Sequence, residues 1–184
     1  MCVIIFFLLV IFTSGIQASE SHFSTAGFYE LANSGREVYN MNVGWRFYKG
    51  SCPDAWQREF DDSSWEVVSI PHGLELLPEE ASGNINYQGK AWYRKNFSVP
   101  ANLKDKKVYL HFEGIMGKSR IWLNGKLLKE HFNGYLPIIA DVTEDLNFEM
   151  ENTLSICADN SDDPSFLPGK PQQALDFTYF GGIY

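Results

Sequence analysis

The stretch SRIWLNGKLL, Ser119 to Leu128, constrains the fold of this chain more than any other. Ile121 and Leu123 alternate with Arg120 and Trp122, and Asn124-Gly125 follows. Alternation of period two places every second side chain on one face of an extended strand. Asn-Gly tolerates positive φ at both turn positions, so the stretch is expected to form a β-hairpin. KVYLHFEG sets Val108, Leu110 and Phe112 against Tyr109 and His111 in the same rhythm, and AWYRKNFSV (Ala91–Val99) and TLSICAD (Thr153–Asp159) also read as strands of period two. No window has a long amphipathic helical pattern, and many short strands separated by turn signals predict an all-β sandwich.

With 184 residues, 45% of them hydrophobic and 15% aromatic, the chain can fill one core. Its net charge of −8 argues against a nucleic-acid partner, because phosphate contacts need a basic face. Val3 to Phe12 is unbroken apolar sequence, followed by TSGIQAS. The run is well short of the roughly 20 residues that span a bilayer, so residues 1–18 are expected to be a secretory signal peptide. No Lys or Arg precedes the run, which keeps a retained membrane anchor as the alternative. Export to the periplasm or the extracellular space is the expected localisation, with no membrane contact after cleavage. Cys52 and Cys157 would remain in the mature chain, either as packed thiols or as a bridge that an oxidising compartment permits.

Residues 19–40 are mixed and aperiodic, a linker or N-terminal arm, and 41–184 form the expected domain. Its long irregular stretches, Gly73–Lys90 and Asn160–Ala174, are the expected functional loops. Catalytic machinery is not evident. His22, His72, His111 and His131 are scattered without zinc spacing, and neither a Gly-x-Ser-x-Gly elbow nor a phosphate-cradling glycine loop occurs. Neither a catalytic residue nor a metal or other cofactor is expected from this chain. DNSDDP, Asp159 to Pro164, opens like a calcium loop, but Pro164 and Lys170 stand where that loop needs glycine and glutamate. It is read as a solvated loop, with an irregular calcium site at Asp159–Asp163 as the alternative. Aromatics beside the two long loops, Tyr87, Trp92, Tyr93, Tyr179 and Phe180, suit stacking on sugar C–H faces and core packing equally.

Four blocks in order carry a resemblance: FDDSSWEVVSIPH (Phe60–His72), GKAWYRKNF (Gly89–Phe97), FEGIMGKSRIWLNGK (Phe112–Lys126) and LDFTYFGGIY (Leu175–Tyr184). Together they resemble the N-terminal sugar-binding domain of glycoside hydrolase family 2, particularly its β-galactosidases, from about Trp45 to Tyr184. The resemblance implies a jelly-roll β-sandwich like galactose-binding domains. It also implies downstream immunoglobulin-like and barrel domains in the same enzyme, the barrel holding both glutamates of a retaining mechanism. On this reading the chain is a fragment, truncated at its C-terminal end, that binds carbohydrate and is not catalytic alone; an independent carbohydrate-binding module or adhesin is the alternative. The resemblance assigns Asp176, and with it Asn86, to binding a β-galactoside-like substrate. It also implies that Gly181-Gly182 approach the barrel closely and that Leu175, Phe177, Phe180 and Ile183 are buried against it.

Overall fold

The computed structural model describes residues 35–75, 86–165, 167 and 169–184. The apolar run Val3–Phe12, residues 19–34 of the arm and residues 76–85 of the first long loop lie outside the described residues. Among the described residues, no helix is long and apolar enough to cross a membrane. The strands in chain order are β1 (Trp45–Lys49), β2 (Glu66–Val68), β3 (His72–Gly73), β4 (Lys90–Phe97), β5 (Tyr109–Phe112), β6 (Lys118–Leu123), β7 (Lys126–Phe132), β8 (Ile138–Asp141), β9 (Asn152–Asp159) and β10 (Gly182–Ile183). All pair antiparallel, as expected of an all-β sandwich.

Six strands form one layer in the order β2-β1-β4-β9-β6-β7. The hairpin sits where the sequence places it. Leu123 pairs with Lys126 across Asn124 (φ 53°) and Gly125 (φ 83°), the positive angles of a type I′ turn. On β6 the predicted face holds, with Ile121 and Leu123 buried and Arg120 exposed. The opposing layer is built from β5-β8 and β3-β10. Leu110, Phe112, Ile138 and Ile183 from this layer share one core with Trp45, Phe47, Tyr93, Ile121, Leu154 and Ile156 of the six-stranded sheet. Each such side chain removed from water stabilises the fold by roughly 1.5–3 kcal/mol.

β4 and β9 depart from one-sided alternation and are buried on both faces. The irregular segment 51–65 lies over the outer face of the sheet, where Ala55 and Trp65 pack on Trp92 and Cys157. Arg94, almost fully buried, holds that segment down. Its Nε donates to Asp62 Oδ2 at 2.8 Å, and its terminal nitrogens donate to the carbonyls of Ala55, Gln57, Arg58 and Phe60 and to Ser155 Oγ. The guanidinium thus gathers a loop that has few backbone hydrogen bonds of its own.

The terminal segment corrects the interface expectation in part. β10 pairs with β3, Ile183 opposite His72, and on its other side Met116 N donates to Gly182 O and Gly114 exchanges two hydrogen bonds with Tyr184. Ile183 is therefore core of this domain, 1% exposed, while Phe177 and Phe180 stay exposed. The close approach that the two glycines permit is likewise to the chain itself. At Gly182 (φ 127°) a Cβ would collide with the His72 carbonyl, and at Gly181 it would lie 2.5 Å from Leu74 Cδ1.

Candidate functional site

The described parts of the two long loops meet at one end of the sandwich, and the terminal segment joins them. Asn86, which precedes β4, is buried where they cross. Its backbone N–H donates to Gln172 Oε1 at 2.8 Å and its Nδ2 to the Tyr179 carbonyl at 2.9 Å. Its Oδ1 accepts from Gln172 Nε2 at 2.6 Å and from Gln88 Nε2 at 3.0 Å. Gln172, in the 3₁₀ turn Gln172–Ala174, also reaches the Tyr179 carbonyl at 3.0 Å. Asn160 repeats the device, accepting from Gly89 N and donating to the Tyr87 carbonyl, both at 2.9 Å. Tyr179 OH closes the ring on Asp162 Oδ1 at 2.8 Å, and burial with that carboxylate beside it drives the phenol pKa well above its ordinary value. Three buried amides thus tie loop to loop, because burying amides costs free energy unless each finds its partner.

Asp176 stands beyond this network. It is exposed between the Gln172–Ala174 turn and Tyr179, without a hydrogen-bond partner among the described residues. A carboxylate in that state offers two free acceptor oxygens, the group that bonds a sugar hydroxyl. Exposed Phe177 and Phe180 follow it in sequence. The structure therefore brings Asn86 onto the segment that carries Asp176, but in a different condition. The Asn86 carbonyl oxygen already has two donors, and its Nδ2 keeps one N–H without a partner among the described residues. Sequence reasoning missed Gln172, Asn160, Asp162 and Tyr179 as the frame that positions Asp176. Polar residues in aperiodic loops leave no pattern to detect; the one available signal is that amide side chains recur among the aromatics of both loops.

The remaining expected groups are engaged in local structure. Asp159 Oδ1 accepts from the backbone and hydroxyl of Ser161, and Asp163 pairs with Lys118 and with Ser165. The Lys118 ammonium, followed by Ser165, holds the Asp163 carboxyl well below the usual carboxylate range. Among the described residues there is no group of three His, Cys, Asp or Glu side chains that could hold a metal ion. Cys52 and Cys157 are free thiols in the outer aromatic cluster, and burial pushes Cys157 up to about 11. His111 is exposed on β5, and His72 Nδ1 lies 3.0 Å from Tyr93 OH.

A two-layer antiparallel sandwich with loops gathered at one end is the architecture of galactose-binding-like domains. Residues 78–165 belong to the glycosyl hydrolase 2 galactose-binding domain-like family. A β-galactosidase of Thermoanaerobacter pseudethanolicus is 36% identical over 151 residues, covering 82% of this chain and 20% of that protein. A β-glucuronidase of Formosa agariphila is 31% identical over 149 residues, covering 77% of this chain and 15% of that protein. The crystal structure of a Bacteroides uniformis β-glucuronidase superposes with a TM-score of 0.68 at 34% identity, covering 78% of this chain and 16% of the other. The chain thus spans a fifth or less of the length of these relatives.

Proposed function

We propose that this domain is the accessory, non-catalytic sugar-binding unit of an exported family 2 glycoside hydrolase acting on β-galactoside-like substrates. In this reading it works beside immunoglobulin-like and barrel domains of the same enzyme, and the barrel supplies the catalytic carboxylates. The observation that carries the proposal is the buried amide ring of Asn86, Gln172 and Tyr179. It fixes the segment bearing Asp176 while leaving that carboxylate exposed and without a partner among the described residues. A free carboxylate held on a locked loop suits a hydroxyl contact in a shared pocket, because the ordering cost is met on folding rather than on binding. Asn86 acts mainly as the latch of that loop and contributes at most its one unused N–H to substrate.

Sequence coverage supports the division of labour, since the aligned region makes up 20% of one matched relative and 15% of another. Retaining hydrolysis needs two carboxyls roughly 5–5.5 Å apart across the bond that breaks. Asp162 is bonded to Tyr179, whereas Asp176 is exposed and has no partner among the described residues. The purified chain incubated with a chromogenic β-galactoside and a chromogenic β-glucuronide is expected to release no chromophore. Turnover that persists through repeated purification would contradict the accessory role.

A further inference from the structure

A groove of about 510 Å³ lies against β1 where β2 and β3 flank it. Its size falls within the roughly 300–1,000 Å³ of small-molecule sites. Part of its lining is aromatic: Tyr48, 41% exposed, is stacked on Trp65 with ring centroids 5.4 Å apart. Lys49, Glu66, His72 and Glu75 add polar groups.

These polar groups differ in what they have left to offer. Glu75 is committed, with Oε2 accepting from Tyr87 N at 2.7 Å and Oε1 3.7 Å from Lys49 Nζ. Lys49 also sits 5.3 Å from the centre of the Tyr87 ring. Glu66 and Ser64, by contrast, have neither ion pair nor side-chain hydrogen bond among the described residues. His72 turns Nδ1 to Tyr93 and packs its ring 4.5 Å from that of Phe47, which leaves Nε2 without a partner among the described residues. Desolvation lowers the His72 pKa, so the imidazole is neutral at pH 7. The groove therefore carries two carboxylates against one ammonium. An anionic ligand would meet net repulsion, whereas a neutral pyranose has C–H faces for the aromatic side and hydroxyls for Glu66, Ser64 and His72.

We propose that this groove is a second carbohydrate site, distinct from Asn86 and Asp176, that binds a neutral hexopyranoside and discriminates against uronates. It stands independently of whether Asp176 contacts substrate.

The test is an NMR titration of the full chain with methyl β-galactopyranoside and, separately, methyl β-glucuronide, following the Trp65 indole resonance. The galactoside is expected to give a saturable shift, with the glucuronide at least fivefold weaker. Tyr48→Ala should weaken galactoside binding about five- to tenfold by removing the stacking partner. Glu66→Gln keeps an acceptor but deletes a charge, so it should narrow the gap between the two sugars. Asp176→Asn should change neither affinity. The proposal is overturned if the galactoside gives no saturable shift or the glucuronide binds equally well. It is also overturned if Tyr48→Ala and Glu66→Gln leave both affinities unchanged, or if Asp176→Asn abolishes the Trp65 response.

Discussion

Replacing Arg94 by methionine keeps much of the side-chain volume and removes the contacts through which its guanidinium pins segment 51–65. The guanidinium shares five N–H donors among six acceptors, with Gln57 O at 2.9 Å, Ser155 Oγ at 2.8 Å, and Arg58 O and Phe60 O at 3.3 Å. Its ion pair with Asp62 is 2.8 Å long, with side-chain exposures of 1% and 15%. Water screens such a pair poorly, and removing one partner of a buried pair typically costs about 3–5 kcal/mol because the other charge is left uncompensated. Some carbonyls can turn to solvent, but Ala55 is fully buried and its oxygen cannot do so without opening the loop. We therefore expect Arg94→Met to lose about 3–5 kcal/mol in urea denaturation. At about 2–4 °C per kcal/mol, the melting temperature should fall by roughly 10 °C. Near-UV circular dichroism should weaken with it, since Trp65 of the segment shares one cluster with Trp92 of the sheet beneath. Arg94→Lys, with three donors on a point charge, should recover part of the loss but not all of it. A loss under about 1 kcal/mol for Arg94→Met, or equal behaviour of the two variants, would mean that the guanidinium does not hold the segment down.

Two further perturbations test the packing. Cys157 is raised from its ordinary 9.0 to about 11, so between those values the unfolded chain loses the thiol proton while the folded one keeps it. Stability should fall as pH rises from about 9 to 11 by roughly 2 kcal/mol, and Cys157→Ala should flatten that slope in denaturation curves taken across the range. Deleting residues 172–184 removes β10 and the buried Ile183 and Tyr179, at roughly 1.5–3 kcal/mol for each large side chain. The shortened chain should melt lower and scatter more light than the full chain at equal concentration.

The local rules of strands reached most of the six-stranded sheet. β4, β6, β7 and β9 fall in the stretches whose alternation and Asn-Gly turn predict them. Alternation does not report a second covering, so the double burial of β4 and β9 under segment 51–65 was not legible. That burial depends on Arg94, whose charge in a strand reads as solvent-facing until its six acceptors are seen. The two-residue strands β3 and β10 are too short to show any period, and their pairing rests on close backbone contact at Gly182. The same limit applies to the site. The resemblance of its motif points to Asp176, and its loop to Asn86, as the proposed substrate contacts. The latch formed with Gln172, Asn160, Asp162 and Tyr179 is made of contacts as many as 93 residues apart in sequence, and no local pattern encodes it.

As proposed above, this domain lends a sugar contact to a catalytic site housed elsewhere in a family 2 glycosidase. Steady-state kinetics of Asp176→Asn in the glycosidase that carries the domain, measured on a β-galactoside, tests it most directly. A hydrogen bond to a charged group contributes about 1.5–3 kcal/mol, so kcat/KM should fall roughly 10- to 150-fold while the melting temperature stays within a degree or so of the parent. An unchanged kcat/KM in a folded variant would contradict the claim and leave the domain a scaffold without a part in substrate recognition.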